Sequence, residues 1–115
     1  MNTVSELLKC LKSKRFINDI AKAEKEVVTE KIELRKPTDL FIRDAITGMG
    51  TILKEDLDKH FYITTVKVNA FGSVLTHAII KRDDSSAEIA VYAHEGLIKQ
   101  HLAEKTIEKL KKVLC

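Results

Sequence analysis

Apolar residues recur every three or four positions in three segments of the chain, which is the spacing of an amphipathic helix. The first segment begins with a Thr3-x-x-Glu6 capping box and predicts a helix over residues 3–13, with apolar positions Val4, Leu7, Leu8 and Leu11. The longest segment follows Pro37, with Thr38 or Asp39 as its cap, and predicts a helix over residues 38–60. Its apolar positions are Phe41, Ala45, Ile46, Met49, Ile52, Leu53 and Leu57. The third segment predicts a helix over residues 97–114.

Apolar and polar residues alternate between the second and third predicted helices, which is the pattern of half-buried strands. This alternation predicts strands over residues 62–71, 74–82 and 87–93. Gly72-Ser73 suits a two-residue hairpin turn between the first two strands. Asp83-Asp84-Ser85-Ser86 predicts the next turn, so that the three strands form an antiparallel meander.

Residues 16–35 fit two interpretations. Val28, Ile32 and Leu34 alternate with polar residues, which predicts a strand over residues 27–34. Residues 16–23 fit either a second strand, joined to it over Glu24-Lys25-Glu26, or a helix. We expect the hairpin, although its turn contains neither Gly nor Asn.

Two glycines, Gly48 and Gly50, lie inside the longest helical pattern. Each costs about 1 kcal/mol relative to Ala in a helix interior. Their presence one residue apart predicts the close approach of another backbone at this point.

Size and composition predict a single soluble domain over residues 1–115. The chain has 44% hydrophobic and 32% charged residues, a net charge of +3 and a pI near 8.8. The longest run without a charged residue, Val68–Ile80, is 13 residues long and too short to span a bilayer. The two cysteines, Cys10 and Cys115, form no C-x-x-C pair, and a reduced cytoplasmic protein is expected.

No constellation of catalytic, metal-binding or cofactor-binding residues emerges from the spacing. The histidines are widely spread, at His60, His77, His94 and His101, and none has a Cys or carboxylate at metal-ligand spacing. Gly48-Met49-Gly50 lacks the other residues of a phosphate-binding loop. Lys105, Lys109 and Lys112 form a basic stripe on the last helix, which we interpret as a solvated face. The sequence therefore predicts a protein that is not an enzyme and carries no metal or cofactor.

The predicted order α-β-β-α-β-β-β-α resembles the roadblock (dynein light-chain) family over essentially the whole chain. The segment Val66–Leu75 looks like the third strand, turn and fourth strand of that family. Ala87–Ala93 looks like its fifth strand, and Leu97–Leu102 resembles the opening of its last helix. The resemblance implies a roadblock/profilin-like, five-stranded antiparallel sheet in the strand order 2-1-5-4-3, with helices on its faces. The first hairpin departs from the family, whose turn there usually carries Asp-Gly or Asn-Gly.

The resemblance implies a homodimer that serves as a non-enzymatic scaffold or regulator for a small Ras-like GTPase. The sequence itself adds a physical reason, because a long strand over residues 62–71 would be an unprotected sheet edge in a monomer. The expected dimer interface joins the middle helix to this strand. It comprises Phe41, Ala45, Gly48, Met49, Ile52, Thr64, Thr65, Val66, Lys67 and Val68.

A second resemblance gives an alternative. Lys36-Pro37 before a helix, and the later Val66-x-Val68-x-Ala70-x-Gly72 pattern, are similar to the Alba family of nucleic-acid-binding proteins. In that family the glycine opens a helix and the chain ends in strands. A strand after Gly72 favours the scaffold hypothesis, whereas a helix there favours a nucleic-acid binder.

Overall fold

The computed structural model describes residues 2–68, 74–94 and 101–115. In chain order its elements are α1 (Thr3–Ser13), α2 (Ile20–Glu24), β1 (Val27–Glu33), α3 (Asp39–Thr47), β2 (Ile52–Asp56), β3 (Phe61–Lys67), β4 (Leu75–Asp83), β5 (Ser86–Tyr92) and α4 (Leu102–Leu114). The five strands form one antiparallel sheet in the order β1-β5-β4-β3-β2. The predicted mixed α+β class, with a five-stranded antiparallel sheet and helices on its faces, is confirmed. None of the described helices has the length and apolar character needed to cross a membrane.

Helices cover both faces of the sheet, and each face has its own hydrophobic core. The first core lies under α3 and α4 and includes Ile42, Ile46, Tyr62, Ile80, Ile89 and Leu110. The second lies under α1 and α2 and includes Leu7, Leu8, Leu11, Phe61, Ile63 and Ile79. Successive strand residues alternate between the two cores, as the pleat requires.

The predicted first helix is confirmed, but its cap differs. The Asn2 side chain accepts a hydrogen bond from the Ser5 amide at 3.0 Å, while Thr3 is buried. At the other end Arg15 adopts a left-handed φ of 66°, and the Phe16 amide donates to the Leu11 carbonyl at 2.8 Å. These bonds form a Schellman-type C-cap, in which glycine is the usual left-handed residue. The cap directs Phe16 away from the helix axis and into the segment that precedes α2.

The predicted hairpin over residues 16–34 is wrong in its first half. Residues 20–24 form the short helix α2, since the Asp19 carboxylate caps it by accepting from the Lys22 amide at 3.2 Å. The second half is confirmed, because Val27–Glu33 forms β1. β1 pairs directly with β5, at the sheet position that the resemblance gave to residues 16–23.

The predicted helix over residues 38–60 is also wrong in its second half. Thr38 caps α3 as expected, with its hydroxyl accepting from the Phe41 amide at 3.2 Å, but the helix ends at Thr47. Gly50 then passes so close to β3 that an added Cβ would lie 2.0 Å from the Thr65 carbonyl oxygen. The chain turns at this contact, and residues 52–56 then pair with β3 as the antiparallel strand β2. The predicted close approach at Gly50 is therefore made to the chain's own strand.

The prediction that strand 62–71 lies at a sheet edge is wrong. β3 is flanked by β4 on one side and by β2 on the other. The Thr65 amide donates to the Thr51 carbonyl at 2.9 Å, and the Lys67 amide donates to the Met49 carbonyl at 3.0 Å. The backbone groups that were expected to recruit a partner are satisfied within one chain.

The predicted meander is confirmed where it is described. β3, β4 and β5 follow one another in antiparallel register, and α4 ends at Leu114. The Gly72-Ser73 turn and residues 97–100 of the predicted last helix lie outside the described residues. Since residues 75–83 form a strand and the chain ends in a helix, the order of elements differs from the Alba pattern.

Candidate functional site

The residues predicted for a dimer interface do not form one exposed surface in a single chain. Phe41 and Ala45 are half-buried on α3, whereas Gly48 is exposed at its end. Met49 is buried, and Thr64, Thr65 and Val66 are buried in β3 beneath the neighbouring strands and helices. Ile52 is half-buried in β2, and Lys67 and Val68 follow at the end of β3. Most of these residues thus lie in the core or are half-buried within one chain, and only Gly48 and Lys67 are exposed.

A groove of about 510 Å³ opens between the sheet and the segment that joins α1 to α2. We call it the sheet groove. Its residues come from the α1–α2 segment, from α2 and from the ends of β4 and β5. They are Phe16, Ile17, Asn18, Asp19, Lys22, Ala23, Glu26, Leu75, His77, Tyr92 and His94.

His77 is the most unusual side chain of the sheet groove. It lies in β4, and its Nε2 atom is shielded from solvent with no hydrogen-bond partner among the described residues. Burial lowers the pKa of His77, so the ring is neutral at pH 7. A buried polar atom without a partner costs about 1–3 kcal/mol, so such atoms are rare in folded proteins, and a water molecule, an ion or a ligand can supply the missing partner.

Apolar side chains flank His77 on the open side of the groove. The Phe16 ring packs against the imidazole with 4.6 Å between the ring centroids and a tilt of 43°. Phe16 is 48% exposed and Leu75 is 49% exposed, and they are two of the four exposed large apolar residues that the structure describes. Together they form a small apolar patch directly beside an unsatisfied polar atom.

The rim of the sheet groove carries mixed charge. His94 Nδ1 lies 3.7 Å from Glu26 Oε1. Burial of the phenol raises the pKa of Tyr92, and the nearby Glu26 carboxylate adds to the rise. Asp19 is occupied in capping α2, and Lys22 supplies one positive charge. With two carboxylates against one lysine, the rim disfavours an anionic ligand.

A second, larger concavity of about 710 Å³ runs along α4. It includes the predicted basic stripe Lys105, Lys109 and Lys112, but Glu104 and Glu108 alternate with these lysines. The Lys109 ammonium donates to the Lys67 carbonyl. The interleaved carboxylates leave only a weak positive charge here, so the stripe remains best interpreted as a solvated face.

Three charged or polar side chains, distant in sequence, meet at one end of the sheet. Asp39, at the start of α3, accepts from Arg82 Nε at 2.8 Å and from His60 Nδ1 at 2.8 Å. His60 has a left-handed φ of 57° and ends the β2–β3 turn, and its carbonyl accepts from the Arg82 amide at 2.8 Å. Arg82 also donates to the Asp84 carbonyl at 3.1 Å. The cluster ties α3, the β2–β3 turn and the β4–β5 turn together.

The Asp39 cluster has the electrostatics of a structural tie. Burial would raise the pKa of Asp39, but the hydrogen bonds and positive charges of Arg82 and His60 outweigh it and hold the pKa below its ordinary value. His60 Nδ1 lies 2.8 Å from Asp39 Oδ2 and 3.3 Å from Arg82 Nη2, and it donates to Asp39 because the carboxylate can only accept and is the nearer group. We find no nucleophile among the described contacts of this cluster, and its bonds are all accounted for by local structure.

The described residues contain no group of three or more His, Cys, Asp or Glu side chains placed to hold a metal ion. Cys10 is buried in the second core, where burial is the main factor that raises the pKa of its thiol. A thiol with a raised pKa is a poor nucleophile. Among the residues that the structure describes, the lining of the sheet groove offers polar and apolar contacts to a ligand and contains no thiol.

Sequence reasoning gave His77 no functional role and did not find the Asp39 cluster. The alternating pattern of β4 places His77 on one face of the sheet. Whether its nitrogen has a hydrogen-bond partner depends on the α1–α2 segment that packs over it. Asp39, His60 and Arg82 could not be placed together while residues 38–60 were interpreted as one helix. The left-handed residues Arg15 and His60 leave no clear trace in the sequence, since glycine would be expected at both.

Comparison with known proteins adds little to this geometry. No protein-family model matches the sequence, and no curated protein matches it. Among solved structures, the chain is similar to a TBP-like protein from Parabacteroides distasonis, with 14% identity and a TM-score of 0.37. That match covers 57% of this chain and 53%, about half, of the other.

Proposed function

We propose that this protein binds a small, largely apolar molecule in the sheet groove, and that His77 is the polar anchor of the bound molecule. The observation that carries the proposal is the shielded, unpartnered Nε2 of His77 beside an apolar patch. Small-molecule sites commonly combine apolar walls with a few polar groups that fix orientation. A groove of about 510 Å³ lies in the usual size range of such sites.

The geometry also selects the chemistry of the ligand. Because His77 is neutral, its Nε2 either donates or accepts according to the tautomer, and a hydroxyl or amide group suits both cases. The rim carboxylates Asp19 and Glu26 disfavour an anion. Phe16 moves aside to admit the ligand, since its ring packs against the imidazole and its segment lacks regular secondary structure.

The test is a titration of the protein with four small probes of similar size, followed by NMR. Phenol and benzamide present a hydroxyl and an amide, toluene has no polar group, and benzoate is an anion. We expect phenol and benzamide to bind about tenfold more tightly than toluene, as one net hydrogen bond is worth about 1.4 kcal/mol. Benzoate should bind most weakly.

The matched variants are His77→Phe and His94→Gln. His77→Phe removes the ring nitrogen and keeps an aromatic ring, so the preference for phenol over toluene should disappear. His94→Gln changes a histidine at the exposed rim and should retain that preference. Equal binding of phenol and toluene by the unaltered protein, or an unchanged preference in His77→Phe, would contradict the proposal.

The homodimeric scaffold for a small Ras-like GTPase remains a hypothesis that comes from the resemblance. Its interface residues are largely occupied within one chain, and β2 blocks the strand that was expected to pair with a second copy. For this reason the sheet groove has the stronger support. Sedimentation at micromolar concentration, with and without a panel of GTPases, tests the scaffold independently of the groove.

A further inference from the structure

The two edges of the sheet differ in how they are protected. β2 has only five residues, its register shifts between Ile52 and Lys54, and it ends in Lys54-Glu55-Asp56. Short length, a bulge and charges are the devices that prevent a sheet edge from pairing with another strand. β1 has seven residues, and its register with β5 is continuous from Val27 to Glu33. β1 also carries charges, at Glu30, Lys31 and Glu33, so its greater length and its continuous register are what make it the less protected edge.

The pairing pattern shows which backbone groups of β1 face outward. The Leu34 amide donates to the Ser85 carbonyl at 2.8 Å, so this pair is a hydrogen-bonded one. Hydrogen-bonded pairs alternate along an antiparallel ladder, so Ile32, Glu30 and Val28 also bond to β5. The N–H and C=O groups of Val27, Thr29, Lys31 and Glu33 consequently point away from the sheet. No backbone partner on that side occurs among the residues that the structure describes.

A notch of about 200 Å³ lies beside this free edge, between β1 and α4. Its apolar floor is formed by Val28 and Ile107. Its other residues are Thr29, Glu30, Glu104 and Glu108. The notch can take one apolar side chain from a strand laid along β1.

The charge around the notch is negative. Glu30, Glu104 and Glu108 contribute three carboxylates, and Lys111 contributes one nearby ammonium. Lys111 Nζ lies 3.5 Å from Glu30 Oε1 and 4.0 Å from Glu108 Oε1. His101 Nδ1 lies 4.0 Å from Glu104 Oε2. The notch lining thus has three carboxylates beside one ammonium and complements a positively charged partner, while Lys105, Lys109 and Lys112 line the other side of Glu104 and Glu108.

We infer that β1 accepts an extended basic peptide as a sixth, antiparallel strand. An apolar side chain of the peptide enters the notch, and Lys or Arg residues two positions away on each side approach the three carboxylates. Side chains two residues apart lie on the same face of a strand, so the motif is basic-x-apolar-x-basic. The x positions lie opposite Val27 and Thr29 and make the backbone hydrogen bonds, so the apolar residue lies opposite Val28 and one basic residue lies opposite Glu30.

The probe is a fluorescently labelled heptapeptide, acetyl-Thr-Lys-Thr-Leu-Thr-Lys-Thr-amide, titrated by fluorescence anisotropy. We expect saturable binding that weakens as salt is raised, and no binding of the analogue with Glu in place of both Lys residues. N-methylation of a Thr next to Leu should abolish binding, since that N–H bonds to β1. N-methylation of Leu should be tolerated, because its N–H points away from β1. Equal effects of the two methylations, or the opposite pattern, overturn the antiparallel strand.

Three protein variants complete the test. Thr29→Pro removes an outward N–H and leaves the β5 ladder intact, so it should abolish binding while circular dichroism and Tm show a folded protein. Glu104→Lys with Glu108→Lys should weaken binding at least tenfold. The same reversal on the other edge, Glu55→Lys with Asp56→Lys, should not change it. If the unaltered chain is a dimer whose β1 amides are protected from exchange without peptide, a second copy fills this edge and the inference is wrong.

Discussion

Arg82 donates from Nε to the Asp39 carboxylate at 2.8 Å, across 43 residues of sequence. This bond fixes the start of α3 against the end of β4, and His60 completes the arrangement from the β2–β3 turn. The side chains of Arg82 and Asp39 are only 17% and 25% exposed, so the pair is well shielded from solvent. It holds the first turn of α3, which Thr38 caps, against the β2–β3 and β4–β5 turns.

Replacing Asp39 by Asn should lower the free energy of unfolding by about 1–3 kcal/mol, because Arg82 and His60 lose the charged acceptor that they share. The control is Glu55→Gln, which removes the exposed Arg43–Glu55 ion pair at 3.5 Å. We expect that change to cost about 0.5 kcal/mol or less. Urea denaturation of the two variants measures both effects. Equal losses would show that the Asp39 cluster is not a structural tie.

Gly50 and Gly48 should respond oppositely to Ala. A Cβ at Gly50 would lie 2.0 Å from the Thr65 carbonyl oxygen, so Gly50→Ala should cost at least about 2 kcal/mol. A Cβ at Gly48 would lie 3.6 Å from the Ala45 carbonyl oxygen, an ordinary contact, and the residue has helical dihedral angles. Gly48→Ala should therefore stabilise by about 0.4–1 kcal/mol. A tolerated Gly50→Ala would contradict the pairing of β2 with β3.

Arg15 sits in the left-handed position of the α1 C-cap, where glycine avoids a steric cost. Arg15→Gly should raise the free energy of unfolding by about 1 kcal/mol. Lys14→Gly is the control, because Lys14 has φ −94° and gains no relief from glycine. It should be neutral or should cost up to about 1 kcal/mol. Thermal denaturation of both variants measures the difference, and a destabilising Arg15→Gly would count against the cap.

Stability should fall with acid in two separate pH ranges. Burial lowers the pKa of His77 below 6.5, so the unfolded chain binds its proton first. The stability that depends on neutral His77 is fully present above about pH 6.5, and the free energy of unfolding decreases as the pH falls towards the folded-state pKa. The pKa of Asp39 is lowered from 3.8, so its contribution is present above that value and is lost at still lower pH.

Denaturation of the unaltered protein and of His77→Phe between pH 7.5 and pH 5 isolates the first range. His77→Phe should also be more stable at pH 7.5 by about 1 kcal/mol, because it removes an unpartnered polar atom. Between pH 7.5 and pH 5 the free energy of unfolding should decrease less in His77→Phe than in the unaltered protein. An identical pH dependence in the two proteins would show that His77 is not buried in its neutral form.

The elements that could be predicted are those whose pattern has one physical solution. The meander over β3, β4 and β5 is rich in β-branched and aromatic residues and has turn residues between β4 and β5, and α1 has a four-residue apolar stripe. The segment 52–56 could not be predicted, because Ile52 and Leu53 continue the helical spacing of α3 and also fit a half-buried strand. The decisive contact there, Gly50 against Thr65, is tertiary.

The same limit applies to the sites. A histidine in an alternating strand looks alike whether its nitrogen is satisfied or not, and only the packing of Phe16 over β4 makes His77 distinctive. The dimer interface was predicted from an expected edge at strand 62–71, which β2 covers. Once β2 is placed, the open edge moves to β1, at the other side of the sheet.

The most direct measurement of the central claim is the nitrogen NMR spectrum of the His77 ring, recorded without ligand and with saturating phenol. In the free protein we expect a neutral ring at pH 7 whose Nε2 shift is that of a nitrogen without a hydrogen bond. Phenol should move this Nε2 shift to a hydrogen-bonded value and leave the shifts of His60 unchanged. An Nε2 that is already hydrogen-bonded in the free protein, and that phenol does not move, would contradict the assignment of His77 as the ligand anchor.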